Sequence, residues 1–303
     1  MPQEIIVEKL HQLRVPPTHS HKGQNGKLLL IGGSELFHAA SRWSLDVAAC
    51  LVDMVFYASV PSNNKLITEA KGKFWNGIVI AREEVDSYAQ EADCILIGPG
   101  MERNTETKEF VDSFVKKVIS ASPEKRLVVD AGALQLIDPA LLTPHTIITP
   151  HHQEIVRFID LLKTNKGTFD TTISPEFLQS LSAHLGGPLI LLKGATDVLA
   201  TPKWNLSIPG GTPGLTKGGT GDVLAGLIAA LYCTNDALSA AIVGSYCNKR
   251  AAEVLSQKLG PYFSTTLLAE SIPKILWREL LAANNPTAKA YPAAKSTTTT
   301  SLP

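Results

Sequence analysis

The segment with the most chemistry in it is Gly210-Gly-Thr-Pro-Gly-Leu-Thr-Lys-Gly-Gly-Thr-Gly-Asp222, followed at once by Val-Leu-Ala-Gly-Leu-Ile-Ala-Ala-Leu. The apolar run predicts a helix from Gly221 to Tyr232. The first N–H groups of a helix lack intrahelical partners and carry the positive end of its dipole. Glycines there let the backbone close on an anion, so Gly218, Gly219, Thr220 and Gly221 are an expected phosphate cradle. Asp222 has two readings. A helix-capping carboxylate is the commoner role at an arbitrary helix start. Beside a phosphate, however, a carboxylate repels its ligand unless it has a task, such as taking the proton of an attacking hydroxyl. Asp222 is therefore read as the catalytic base. The spacing is not that of a P-loop, because Lys217 is followed by Gly218 where Ser or Thr would be required.

Lys193-Gly-Ala-Thr-Asp197 follows the apolar run Leu189 to Leu192. It reads equally as a solvated hairpin turn or as a nucleotide-phosphate contact through the Lys193 ammonium, the Thr196 hydroxyl and free backbone N–H groups. His151 and His152 follow Ile148-Thr-Pro150, with Glu154 shortly after. An H-E-x-x-H motif and a third ligand are both missing, so contact with a substrate is preferred over metal ligation. Ile31-Gly-Gly-Ser34 and Ile97-Gly-Pro-Gly100 close two further strands. Neither has the G-x-G-x-x-G spacing of a dinucleotide fold, yet loops at the carboxyl ends of parallel strands share one crevice.

The elements that must position these residues follow from the hydrophobic pattern. Short apolar runs alternate with longer amphipathic ones, which predicts an α/β fold: a mostly parallel central sheet sandwiched between helices. Expected strands are Lys27 to Ile31, Met54 to Ala58, Cys94 to Ile97, Leu127 to Val129, Thr146 to Ile148 and Leu189 to Leu192. Expected helices are Ala39 to Leu51, Thr105 to Ile119, Gln153 to Leu162 and Pro175 to Leu185. A hairpin, Asp197 to Ala200 with Trp204 to Ile208, precedes two apolar helices, Gly221 to Tyr232 and Asp236 to Leu259. No repeat or composition break divides the chain, so residues 1–283 are expected to form one domain. Residues 284–303 are rich in Ala, Thr, Pro and Ser and are expected to be a disordered tail.

Of 303 residues, 44% are hydrophobic and 18% charged, with 28 basic against 28 acidic side chains. That supports a large core and gives no electrostatic reason to expect nucleic acid or an anionic membrane as partner. Cys50, Cys94, Cys233 and Cys247 are far apart in apolar contexts, so buried free thiols are expected rather than disulfides or zinc. Met1 to Leu13 is no secretory signal, and the apolar stretch from Val223 is too short to span a bilayer. A cytoplasmic location is expected.

Taken in order, these segments resemble the ADP/ATP-dependent NAD(P)H-hydrate dehydratase family, the YjeF C-terminal, carbohydrate-kinase-like domain of the ribokinase-like superfamily. The matching pieces are His21-Lys22-Gly23 with Asn25-Gly26 before Leu28 to Ser34; Ile97-Gly-Pro-Gly100; Val128-Val-Asp-Ala131; Ile148-Thr-Pro-His-His-Gln-Glu154; Leu191 to Asp197; and Pro213-Gly214 with Gly218 to Gly226. The resemblance spans roughly Val15 to Leu281. It implies a ribokinase-like fold and a hydro-lyase that acts on the S epimer of NADH or NADPH hydrate. It implies ADP or ATP as co-substrate, ADP being preferred, with Mg2+. The hydroxyl would be phosphorylated, and loss of phosphate would restore the nicotinamide. Asp222 would be the base, and Gly219 and Gly221 would act with it. Lys193, Gly194, Ala195, Thr196, Asp197, Gly218, Thr220 and Gly221 would bind the nucleotide. Ala39, Ala40, Gly100, His151 and Asp222 would meet the hydrate. A homo-oligomer, a homotetramer, is implied, acting with a separate epimerase.

The chain departs from that pattern at His38 where glycine is usual, at Thr212 where Asn is usual, at Gly132 where a second acid is common, and at Cys247-Asn248. The segment from Ser44 to Asp53 also lacks the usual Arg-x-Gly-Ala. These changes bear on the substrate side more than on the fold. Two rival readings stand beside the dehydratase: a small-molecule kinase of the same superfamily for a vitamin-precursor alcohol, and a degenerate nucleotide binder.

Overall fold

The computed structural model describes residues 2–73, 76–166 and 173–285. In chain order the elements are α1 (Pro2–Gln12), β1 (Lys27–Ile31), α2 (His38–Ala48), β2 (Met54–Ala58), α3 (Pro61–Ala70), β3 (Ile78–Ile80), α4 (Val85–Glu91), β4 (Cys94–Ile97), α5 (Thr105–Ala121), β5 (Arg126–Val129), α6 (Ala131–Leu134), β6 (Thr146–Ile148), α7 (His152–Lys166), α8 (Pro175–His184), β7 (Leu189–Leu192), β8 (Asp197–Ala200), β9 (Asn205–Ile208), α9 (Thr220–Tyr232), α10 (Ala237–Leu259) and α11 (Thr265–Asn284).

The strands form one sheet in the order β3-β2-β1-β4-β5-β6-β7-β8-β9. It is parallel from β3 to β7, and β8 and β9 add an antiparallel hairpin at the edge. The inner strands are unbroken apolar runs because both faces are covered. Successive side chains point to opposite faces. Leu28, Leu30, Cys94, Leu96 and Val128 pack with α1, α2, α9, α10 and α11. Leu29, Ile31, Ile95, Ile97 and Val129 pack with α4 to α8. The chain runs outward from β1 to β3 and then resumes at β4 on the other side of β1. The turns after β1 and β4 therefore diverge at a topological switch point, where an open parallel sheet has its crevice.

The expected strands and hairpin form, with helix ends displaced by one to a few residues; α2, for example, stops at Ala48. Six elements were not anticipated: α1, α3, β3, α4, α6 and α11. The last holds Pro273 in its interior, a residue that normally ends a helix because it lacks the N–H and crowds the preceding turn. Packing of Leu268, Ile272, Ile275, Leu276 and Leu280 in the core holds α11 together regardless. It reaches Asn284, the first residue of the expected tail, and residues 286–303 of that tail lie outside the described ones. All four cysteines are free, and Cys94, Cys233 and Cys247 are buried, but Cys50 is exposed, because the chain leaves the core just after α2. No helix among the described residues is long and apolar enough to cross a membrane.

Candidate active site

Gly219 is the N-cap of α9, at φ +94°. A Cβ there would lie 2.2 Å from the Trp43 ring, so both its backbone conformation and its surroundings demand glycine. Gly218 has nothing within 4 Å of the Cβ position and opens to solvent. The Thr220 hydroxyl turns back, donating to the carbonyls of Leu215 (2.6 Å) and Lys217 (2.9 Å), and its N–H also reaches the Lys217 carbonyl at 3.4 Å, so Thr220 closes the turn into α9. Asp222 is the third helical residue and not the cap, so the capping reading falls. Ser44 Oγ donates to the Asp222 carbonyl at 2.7 Å and fixes α2 against α9.

Three carboxylates and one ammonium meet beside this helix start. Asp130, at the end of β5 and 1% exposed, accepts from Thr149 Oγ1 at 2.7 Å and from Lys193 Nζ at 2.8 Å. Glu154, on the first turn of α7, accepts from the His151 backbone N–H at 2.9 Å and from Gln135 Nε2 at 3.2 Å. Its other neighbours are His151 Nε2 at 3.4 Å and Lys193 Nζ at 3.9 Å. The register of β6 and β7 brings Lys193 there, since its N–H donates to the Pro150 carbonyl at 2.7 Å. Lys193 is thus no solvated turn residue: its Nζ is 3.3 Å from the Cβ position of Gly221, over the cradle.

This crowding sets the protonation states. Burial raises Asp222 first, Asp130 and Glu154 raise it further, and Lys193 only partly opposes them; it is pushed up to about 7. A base with its pKa near neutrality is the one that accepts a proton most usefully at that pH. Burial pulls Lys193 down, but Asp130 and Glu154 outweigh it and keep the ammonium charged. Burial holds His151 below its ordinary value.

Of the expected nucleotide residues, Gly194, Ala195 and Thr196 form an exposed turn. Asp197 lies beneath it, buried, with its carboxylate bonded to the Gly194 N–H (2.9 Å) and to Ser245 Oγ (2.7 Å). The Gly194 N–H and the Asp197 carboxylate are thus bonded within the protein, and Asp197 supports the turn from beneath. On the substrate side, Gly100 (φ +73°) has Phe37 O at 2.7 Å and Ala40 Cβ at 3.0 Å from its Cβ position. The turns after β1 and β4 are therefore clipped together at the switch point, with Gly33 N–H donating to the Pro99 carbonyl at 2.7 Å. Ala39 and His38 are exposed at the start of α2, and His151 is half-exposed at the end of β6.

Asp130, Gln135, Thr149 and Glu154 were not among the expected site residues. The available signal for Asp130 was its position directly after a strand, before Ala131. Among the described residues Ala131 is the one non-glycine at positive φ (+46°). Such strain persists only where the surroundings enforce it. Here the Asp130 carbonyl is pressed onto Gly98, whose Cβ position is 1.8 Å away, and Gly132 onto the Met101 carbonyl at 2.2 Å. Gly132 therefore has no room for the second acid. The His21 to Gly26 piece lies at the other end of the sheet. It wraps Asp53, which accepts from the Gly23 N–H (2.7 Å) and the Asn25 N–H (3.0 Å), and it belongs to the scaffold.

Carboxylate oxygens are the donors that a magnesium ion takes, and one travelling with a nucleotide needs only one or two, with phosphates and water completing the shell. Asp130 and Glu154 meet that requirement. Among the described residues no group of three His, Cys, Asp or Glu forms a closed metal cage.

A family model described as NAD(P)H-hydrate dehydratase matches residues 28–274. The chain is 33% identical over 278 residues to the bifunctional NAD(P)H-hydrate repair enzyme Nnr of Methanocaldococcus jannaschii, covering 88% of this chain and 51% of that protein. It spans about half the length of the first curated relatives it matches. It is 28% identical to the ADP-dependent (S)-NAD(P)H-hydrate dehydratase of Nitrosopumilus maritimus, over 85% of this chain and 90% of that one. The fold is that of a ribokinase-like protein of Enterococcus faecalis, with a TM-score of 0.74 at 22% identity over 90% of this chain and 94% of that one. It is also that of the ADP/ATP-dependent NAD(P)H-hydrate dehydratase of Bacillus subtilis co-crystallized with ATP and Mg2+, with a TM-score of 0.69 at 22% identity over 90% and 97%. The chain belongs to the NAD(P)H-hydrate dehydratase family.

Proposed function

We propose that this chain is a hydro-lyase that dehydrates the S epimer of NAD(P)H hydrate with ADP or ATP as phosphoryl donor. Asp222 takes the proton of the ring hydroxyl as its oxygen attacks the terminal phosphorus. The backbone N–H groups of Gly219 and Gly221 and the Lys193 ammonium receive the charge that develops on the phosphoryl oxygens. The carbon–oxygen bond of the resulting ester then breaks and phosphate leaves. A proton departs from the neighbouring ring carbon, and the ring regains its double bond. A magnesium ion bound with the nucleotide would be held by Asp130 and Glu154 and would neutralise phosphate charge. The observation that carries this reading is Asp222, poised near neutrality between a glycine helix start and an inward-held lysine.

Gly218 and the exposed Gly194 to Thr196 turn would seat the nucleotide. Ala39, Ala40, Gly100 and His151 would border the hydrate. ADP is proposed as the donor, as in the name of the Nitrosopumilus relative. Also proposed are a single domain through residue 283, a cytoplasmic homo-oligomer (a homotetramer), and a separate epimerase that supplies the S epimer. The last is supported by the bifunctional relatives, about half of whose length lies outside the match.

The test is the near-ultraviolet absorbance of reduced nicotinamide on NADH hydrate with ADP, with ATP, and with neither. A nucleotide-dependent rise is expected. A stable phosphorylated alcohol from another substrate, with no rise here, would establish the small-molecule kinase instead. Nucleotide binding without turnover of any kind would establish the degenerate binder.

A further inference from the structure

Ser245, Lys249 and Glu253 recur every four residues along α10 and so share one face. That face meets the two loops at the open end of the β8–β9 hairpin, 193–197 leading into β8 and 210–212 following β9. Lys249 Nζ donates to the carbonyls of Gly194 (2.9 Å), Ala195 (3.1 Å) and Gly210 (3.2 Å), and sits 3.2 Å from Asp197 Oδ1. Ser245 Oγ donates to the other oxygen of the same carboxylate at 2.7 Å. Glu253 accepts from the Gly211 N–H at 3.0 Å, and Ser256 Oγ donates to Thr212 Oγ1 at 2.9 Å.

The Lys249 side chain is 4% exposed and that of Asp197 6%. Burying an ion pair costs desolvation that an apolar pair would not, so stability alone is a weak reason for it. Three backbone carbonyls converging on one ammonium do something an apolar pair cannot: they hold two loops at a set separation. Both loops lead into the cluster. The first begins with Lys193 and the second runs on to Gly218 and Gly219.

We infer that Lys249, backed by Asp197 and Ser245, is a positioning residue that sets the spacing of the 193–197 and 210–212 loops and thereby shapes the seat of the nucleotide's phosphates. This rests on the reading of those loops as nucleotide-facing. Lys249 itself touches no reacting atom, and the effect of its loss falls on binding. Its amine offers three protons to four acceptors, so an apolar replacement strands carbonyls on both loops and lets them separate.

The experiment is steady-state kinetics with NADH hydrate and calorimetric titration with ADP and ATP, on the full chain and on Lys249→Met. The double variant Asp197→Asn with Lys249→Met removes both charges, strands no carboxylate, and carries the test if the single variant does not fold. The nucleotide KM is expected to rise about tenfold or more while kcat at saturating nucleotide stays within about threefold, the split expected of lost binding without lost chemistry. In Lys249→Ala, ethylammonium is expected to lower the nucleotide KM again by occupying the vacated space. A folded variant with wild-type nucleotide affinity, or one whose loss is confined to its melting temperature, would overturn the inference. If the wild-type chain itself binds neither ADP nor ATP, the nucleotide reading falls, and this inference falls with it.

Discussion

Two loops at opposite ends of the sheet use the same residue types to opposite ends. At the amino ends of the strands, Gly23, Asn25 and Gly26 close around Asp53. At the carboxyl ends, Gly218, Gly219 and Gly221 close beside Asp222. Burial pushes the Asp53 carboxyl up, but hydrogen bonds from Asn25 and Gly23 prevail and hold it below the usual carboxylate range. Burial pushes Asp222 up too, and there Asp130 and Glu154 add to it, leaving the group at about 7. A carboxylate whose oxygens are spent on N–H donors organises a loop. One crowded by other carboxylates is costly to the fold and available to a proton, which is how active sites differ from scaffolds built of the same parts.

The contrast breaks most sharply at Asp222→Asn. Turnover should fall by about a thousandfold, the middle of the range for a general base, while nucleotide affinity measured by calorimetry stays largely intact. Retained turnover would remove Asp222 from the mechanism. The same substitution should stabilise the protein. A carboxyl whose folded pKa is raised favours the folded state when protonated, so stability falls as pH rises from the unfolded value of 3.8 towards about 7. Above neutrality the amide should therefore melt higher than wild type, by on the order of 1–2 kcal/mol once coupling to Asp130 and Lys193 is discounted, with the difference closing in acid. A pH-independent difference in melting would contradict this assignment.

Gly219→Ala tests the cradle geometry. Positive φ and the Trp43 ring together should cost about 2 kcal/mol or more in denaturant unfolding, and turnover should drop with the displaced N–H groups. An unchanged midpoint would mean that the loop relaxes freely. Asp130→Asn sharpens the electrostatic side. It removes a carboxylate that raises Asp222, so the acid limb of the kcat/KM profile should move to lower pH. A limb that stays in place would mean that Asp130 does not set the protonation of Asp222. The smallest effect on activity belongs to Asp53→Ala. It should cost about 1–2 kcal/mol of stability through the lost loop bonds and leave kcat and KM of the folded protein unchanged. A change in KM would move that loop from scaffold to site.

Much of the fold was legible in the chain because inner strands of a doubly covered sheet are unbroken apolar runs, and Leu28 to Ile31, Cys94 to Ile97 and Leu189 to Leu192 have few other readings. The missed elements carry weaker local patterns. The three residues of β3 are scarcely a pattern, and α11 hides behind Pro273, whose local preference the core overrides. In the site, the glycine run and Asp222 announced themselves by spacing. Asp197 did not reveal that it lies under its loop, because the residue that claims it, Lys249, is distant in sequence.

The sequence by itself determined which apolar runs become the inner strands, where glycine must stand for backbone to approach an anion, and that a carboxylate opens the helix behind it. These are consequences of periodicity and of backbone sterics, which act over a few residues. Only the tertiary structure decided that Lys193 turns inward, that Asp130 and Glu154 join Asp222 around it, and that Asp53 has no such company. Each of those outcomes depends on which strand lies next to which, and on charge acting through a buried space where water cannot screen it.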